Sequence, residues 1–167
     1  MKLVLGSASP RRRELLGQLG LPPAEVRIPD IDETPERGED ARAYVARMAR
    51  EKAAVLECAA DEVILTANTN DTCGRRILGK PADEKEAAEF LWLLSGRRHH
   101  VLTAVAVRTA LGLRERLVET VVKFRPLSNT EVNGYLASGE WRGKAGGYAI
   151  QGLAGAFVPW LHGSFTG

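Results

Sequence analysis

The stretch at residues 3–16, Leu-Val-Leu-Gly-Ser-Ala-Ser-Pro-Arg-Arg-Arg-Glu-Leu-Leu, constrains the fold more than any other. Its apolar start, residues 3–5, reads as a short strand that stops at Gly6. Ser9 stands where a helix N-cap belongs and Pro10 where the first helical residue belongs, a pairing that favours helix initiation. Such a strand-to-helix turn exposes unpaired backbone N–H groups at the positive end of the helix dipole, and together these make an anion site. Arg11, Arg12 and Arg13 follow in the first turn, where cations oppose the dipole and a phosphate chain would compensate them. Helical spacing puts Arg12 on the face of Leu15, Leu16 and Leu19, the stripe expected to pack inward, with Arg11 one turn before Leu15. The spacing therefore nominates Arg11 and Arg12 as phosphate ligands and leaves Arg13 to solvent. A solvated basic helix start is the alternative reading of the same residues.

Composition narrows the function classes. A chain of 167 residues with 44% apolar residues suits one globular domain or two small lobes. Its net charge of +2 is too balanced for a dedicated nucleic-acid binder with a broad basic face. No apolar run approaches the roughly 18 residues that a membrane span needs. Met1-Lys2 leads straight into the first strand and leaves no room for a signal peptide. Cys58 and Cys73 have neither metal-ligand nor scaffold spacing, so a reduced, cytoplasmic setting is expected.

Further along, residues 25–28 can form a second short strand. The acidic loop Pro-Asp-Ile-Asp-Glu-Thr-Pro at 29–35 could offer carboxylates to a hard divalent cation such as Mg²⁺, or could be an ordinary solvated turn. Residues 38–60 read as a long amphipathic helix with Ala41, Tyr44, Val45, Met48, Ala49, Val55 and Leu56 inward. Lys52 occupies that apolar stripe, which favours a lysine aimed into a polar cleft. Residues 63–67 read as a central strand ending in a polar loop at 68–74, the usual place for ligands in an open α/β sheet. Residues 75–78 can return as a short strand, and Lys80, between Gly79 and Pro81, sits on a constrained backbone from which it could contact phosphate.

A helix is expected over 82–94, with Ala87, Phe90, Leu91 and Leu94 inward. An antiparallel hairpin follows, with strands at 99–107 and 116–124 turning near Gly112. His99 lies on the face of Val101, Thr103 and Val105, and a lone histidine there is more often packed or hydrogen-bonded than a base. Ser128 caps a helix reaching Ala137. The glycine-rich segment 141–155 allows close backbone approach to a ligand, and Gln151 there offers both donor and acceptor to the edge of a base.

These motifs, in this order, resemble the Maf family of nucleoside-triphosphate pyrophosphatases along nearly the whole chain. The matching runs are Ser-Ala-Ser-Pro-Arg-Arg at 7–12 with Glu-Leu-Leu at 14–16, Asp-Glu-Thr at 32–34 and Arg-Glu-Lys-Ala at 50–53. Further matches are Ile-Leu-Gly-Lys-Pro at 77–81, Leu-Ser-Gly-Arg at 94–97, His99 with Val101 and Thr103, and Lys-Ala-Gly-Gly-Tyr-Ala-Ile-Gln-Gly at 144–152. The resemblance implies a single domain of α/β class, a mixed twisted sheet with flanking helices in two lobes around a cleft, as in inosine triphosphate pyrophosphatases. It implies hydrolysis of a nucleoside triphosphate to monophosphate and pyrophosphate with a divalent cation, Mg²⁺ or Mn²⁺. Ser7, Arg11, Arg12, Lys52 and Lys80 match the family's phosphate-binding set, with Lys52 and Lys80 also among its catalytic positions. Glu33 matches the catalytic acidic position and would help hold the metal. Thr69, Arg11 and Gln151 match the specificity positions of the branch acting on dTTP, UTP and modified pyrimidine nucleotides. A homodimer is a possible assembly, and neither nucleic acid nor membrane is an expected partner.

Two departures stand out. Asn68 carries an amide where the family has the aspartate of its general base, and an amide accepts no proton at neutral pH. Asp71 is a carboxylate three residues on, in a run that is polar where relatives carry an apolar strand, but an extended chain would point it to the opposite face. The chain also stops at Gly163-Ser-Phe-Thr-Gly167, short of the family's usual C-terminal segment. The amide at 68 makes impaired hydrolysis the expectation, with a catalytically silent nucleotide-binding regulator linked to cell-division arrest as the alternative. A nucleic-acid binder, suggested by the arginines and a pI near 8.7, has less support because the basic residues do not line one face.

Overall fold

The computed structural model describes residues 1–167 and shows a mixed α/β protein. Its strands are β1 (Lys2–Gly6), β2 (Glu25–Val26), β3 (Glu62–Cys73), β4 (Arg76–Leu78), β5 (Arg98–Thr109), β6 (Gly112–Lys123) and β7 (Trp160–His162). The helices are α1 (Pro10–Gln18), α2 (Ala41–Ala54), α3 (Glu84–Leu94) and α4 (Asn129–Ser138), with 3₁₀ turns at Ala145–Gly147 and Leu153–Phe157. All seven strands join one sheet in the order β2-β1-β3-β5-β6-β7, with β4 added beside β3. No helix is long and apolar enough to cross a membrane. The chain divides into two compact units, one of Met1–Asn68 with Thr103–Leu117, the other of Thr69–Leu102 with Val118–Phe165.

In the first unit β1 runs parallel to both β2 and β3, pairing Val4 with Ile64 and Leu5 with Leu65. Val4 and Leu5 are both buried although they point to opposite faces, the mark of a strand covered on both sides. Tyr44, Val45, Met48, Ala49 and Ala53 form the buried stripe of α2. Thr66 Oγ1 donates to the Ala49 carbonyl at 2.6 Å, fixing α2 to β3. A side chain at Gly6 would meet Thr66 Cγ2 at 2.5 Å, so glycine is what lets the end of β1 lie against β3.

The second unit is built around Phe124, fully buried, with its ring edge-on to His99 (5.2 Å), Tyr148 (4.9 Å) and Phe157 (5.9 Å). The inward residues expected of α3, Ala87, Phe90, Leu91 and Leu94, are all buried in this core. β4 returns antiparallel on the end of β3, pairing Asp71 with Leu78.

Several expectations need correction. The polar loop at 68–74 does not exist: β3 continues through Cys73 and turns only at Gly74, whose φ is +61°. The polar side chains of Asn68, Asn70, Asp71 and Thr72 are buried in that strand, so composition misled where backbone pairing with β4 decides. The helix expected over 38–60 is α2 alone, opened by Asp40, whose carboxylate accepts from the Arg42 and Ala43 amides. Val55 lies past its end and is exposed, as is Leu19, one residue beyond α1.

Arg27 closes the edge of the first unit. Its guanidinium bonds Glu25 and Glu62 at 2.6 Å each, and Lys2 bonds Glu25 at 2.7 Å. Bonding to Arg27 holds both carboxyls down to about 2, against an ordinary 4.5. A carboxyl lowered on folding contributes stability above its unfolded pKa, and that contribution is lost as pH falls through the folded one. The melting temperature should therefore fall between pH 4.5 and pH 2 by more in the parent chain than in Arg27→Met. Parallel melting curves for the two across that window would show that the network adds nothing.

Candidate phosphate-binding site

Three of the four helices have side-chain caps: Asp40 on α2, Asp83 on α3, and on α4 a reciprocal box between Ser128 and Glu131. α1 is the exception. Ser9 occupies its N-cap position but makes no side-chain cap bond, and no acidic residue stands in its first turn. Instead Ser7 Oγ accepts from the Ser9 amide at 3.2 Å, shaping the turn between β1 and α1. A groove of about 580 Å³ opens beside this turn, lined by Ser7, Ser9, Pro10, Arg13 and Glu14 among others. The helix end expected to attract an anion is thus the one left without a protein anion.

Arg12 turns back from this helix. Its Nη1 donates to Ser7 Oγ at 3.0 Å and to the Ala67 carbonyl at 2.9 Å. Both acceptors are neutral. Burial, with Arg11 adjacent, lowers the guanidinium's pKa to about 10, and Glu33 offsets only part of that. A cation held inside protein on neutral oxygens is stabilised by any anion that reaches it. Arg11 is half-buried beside it, and Arg13 is exposed, as expected.

The same unit gathers the next three candidates around one ammonium. Lys52, on the buried stripe of α2, donates to Glu33 Oε2 at 2.8 Å and to Asn68 Oδ1 at 3.1 Å. Lys52 and Asn68 are buried, whereas the Glu33 side chain is half-exposed. α2 also pins the loop that carries Glu33: Tyr44 Oη donates to the Glu33 carbonyl at 2.7 Å, and Arg47 to the Thr34 carbonyl at 3.1 Å. These two residues and the Ala67 carbonyl are contributors that sequence reasoning missed. Tyr44 was legible only as a core residue, and a backbone oxygen leaves no trace in composition.

Lys80, Thr69 and Gln151 belong to the second unit. Lys80 is exposed, on a backbone tied down by a bond from the Gly146 amide to the Gly79 carbonyl at 3.0 Å. Thr69 is half-buried in β3, and Gln151 is exposed in the turn before Gly152. His99 is fully buried and bonded to Tyr148 Oη at 2.7 Å, and burial lowers its pKa to about 4. It is the packed, neutral histidine that the sequence favours.

A family model described as Maf-like protein matches residues 2–167. The chain belongs to the Maf family. Among its Maf relatives, the dTTP/UTP pyrophosphatase of Cereibacter sphaeroides is 62% identical over the whole of this chain and 87% of its own length. Those of Roseobacter denitrificans and Sphingopyxis alaskensis are each 56% identical, over 98% of this chain and 87% of theirs. A solved nucleoside-triphosphatase, dITP/XTP pyrophosphatase, of Mycobacterium abscessus aligns over 76% of both chains at 18% identity and TM-score 0.42, too distant to bear on this Maf chain.

A divalent cation can be tested against the donors present. The chain has no cluster of three or more His, Cys, Asp or Glu able to form a metal cage. Glu33 Oε2 and Asn68 Oδ1 do converge on one cationic position, now filled by the Lys52 ammonium. One carboxylate and one amide oxygen fit a cation that takes most of its ligands from phosphates and water, as Mg²⁺ commonly does.

If the α1 turn is the anion site, inorganic pyrophosphate should raise the melting temperature of the parent protein by a few degrees at about 100 times its Kd. Arg12→Met should lose that rise. An equal rise in both proteins would place the anion elsewhere.

Proposed function

We propose that this Maf-family chain is a nucleoside triphosphate pyrophosphatase acting on dTTP and UTP, releasing the monophosphate and pyrophosphate, with hydrolysis slowed by Asn68. The observation that carries the proposal is the half-buried Arg12 guanidinium, bonded only to neutral oxygens at a helix start without a side-chain cap. A triphosphate supplies the missing negative charge. The names of the relatives, dTTP/UTP pyrophosphatases over nearly the whole chain, support the choice of nucleotide.

In this reading Ser7, Arg11 and Arg12 take one part of the phosphate chain, and Lys52 and Lys80 place positive charge where negative charge grows as the anhydride breaks. Preorganised cations of this kind lower a phosphoryl-transfer barrier without reorganising during the step. Glu33 and the Asn68 amide oxygen would hold a divalent cation, which when bound draws electron density from the phosphates it touches. Asn68 has its oxygen committed to Lys52, so its amide can donate a hydrogen bond but cannot take a proton from water. Thr69 and Gln151 remain the residues proposed to read the base.

The test is pyrophosphate release from dTTP and UTP with Mg²⁺ or Mn²⁺, for the parent and Asn68→Asp. Restoring a carboxylate should raise the rate by about 10²–10⁴-fold, the usual contribution of a general base. Equal rates would remove residue 68 from that role. Tight dTTP binding with no turnover by either protein would instead favour a silent nucleotide-binding regulator, the second reading that the amide at 68 supports.

A further inference from the structure

Asp71 has no part in the mechanism above, yet it is a carboxylate buried in β3 where the family resemblance leads one to expect an apolar residue. It lies against the glycine turn that precedes Tyr148. A Cβ on Gly146 would fall 2.7 Å from Asp71 Cγ and 2.8 Å from Oδ2, so the turn approaches as closely as a backbone without a side chain allows. Gly146 also has φ +66°, a conformation that glycine adopts without strain. His99 Nε2 lies 3.7 Å from Asp71 Oδ1 and bonds Tyr148 Oη at 2.7 Å. Two buried polar groups thus meet one turn: Asp71 packs against it at Gly146, and His99 bonds it at Tyr148.

That turn in turn bonds the backbone before Lys80 and lies beside Pro81 after it. The Gly146 amide donates to the Gly79 carbonyl at 3.0 Å, and a Cβ on Gly147 would stand 3.5 Å from Pro81 Cγ. Lys80 is therefore exposed on a backbone bonded to this turn at Gly79 and lying beside it at Pro81, and the turn itself lies against Asp71 and is bonded through Tyr148 to His99.

We propose that Asp71, His99 and Tyr148 are positioning residues that act through the glycine turn at 144–148 to fix Lys80, and so set how tightly the chain grips nucleotide phosphate. This rests on the reading of Lys80 as a phosphate ligand. Its consequence is a coupling between residues whose side chains need not touch: loosening the turn should matter only while Lys80 is present to be misplaced.

The test is a pair of double-mutant cycles read by calorimetric binding of a non-hydrolysable dTTP analogue with Mg²⁺ to the full chain. Tyr148→Phe removes the bond to His99 while keeping the ring, and Gly146→Ala pushes a methyl against Asp71. Lys80→Ala should weaken binding about ten-fold or more, and each turn variant about three- to ten-fold, the range of one lost polar contact. In the Lys80→Ala background the turn variants should have no further effect. Turn effects that persist undiminished there would overturn the proposal, as would normal binding by both turn variants while Lys80→Ala binds weakly. If Lys80→Ala itself binds normally, the phosphate role of Lys80 fails, and this proposal fails with it.

Discussion

The candidate site depends on one half-buried arginine that bonds neutral oxygens and feels an acid, Glu33, only at a distance. Arg12 bonds the hydroxyl of Ser7 and the carbonyl of Ala67, and these bonds tie the start of α1 to the end of β1 and the middle of β3. Such an arrangement costs stability in the free protein, because the charge is partly withdrawn from water onto dipoles and Glu33 compensates only part of the loss. It becomes favourable when an anion arrives. Gly6 and Ser7 make it possible: the glycine lets β1 lie on Thr66, and the hydroxyl both accepts from Arg12 and holds the turn through the Ser9 amide.

The second electrostatic feature is Lys52. Its ammonium draws a half-exposed carboxylate and a buried amide oxygen into one place, joining a loop, a helix and a strand that lie far apart in sequence. With aspartate at 68 the ammonium would sit between two carboxylates, and water nearby would have a proton acceptor. With asparagine the oxygen that faces Lys52 is kept, but position 68 offers no carboxylate to take a proton.

Much of this was legible in the sequence because local rules carried it. The Ser-Pro helix start, the inward face of α3 and the hairpin of β5 and β6 follow from propensity and periodicity, and so does a lysine at the apolar position 52. What was not legible has a common cause. The run Asn68-Thr-Asn-Asp-Thr has the composition of a loop, yet it is strand because β4 pairs with its end. Leu19 and Val55 fit their helical stripes by spacing, but each helix ends before the residue can pack. Tyr44 reads only as a core residue and Arg47 gives no signal in the sequence, and the path of the 29–40 loop is what makes them its anchors.

The most direct measurement is a crystal structure of the full chain with a non-hydrolysable α,β-substituted dTTP analogue and Mg²⁺. The account predicts phosphate oxygens within hydrogen-bond distance of the Arg12 guanidinium and Ser7 at the start of α1, with Lys52 beside them. Phosphates bound away from α1, with Arg12 still bonded only to Ser7 and Ala67, would contradict it.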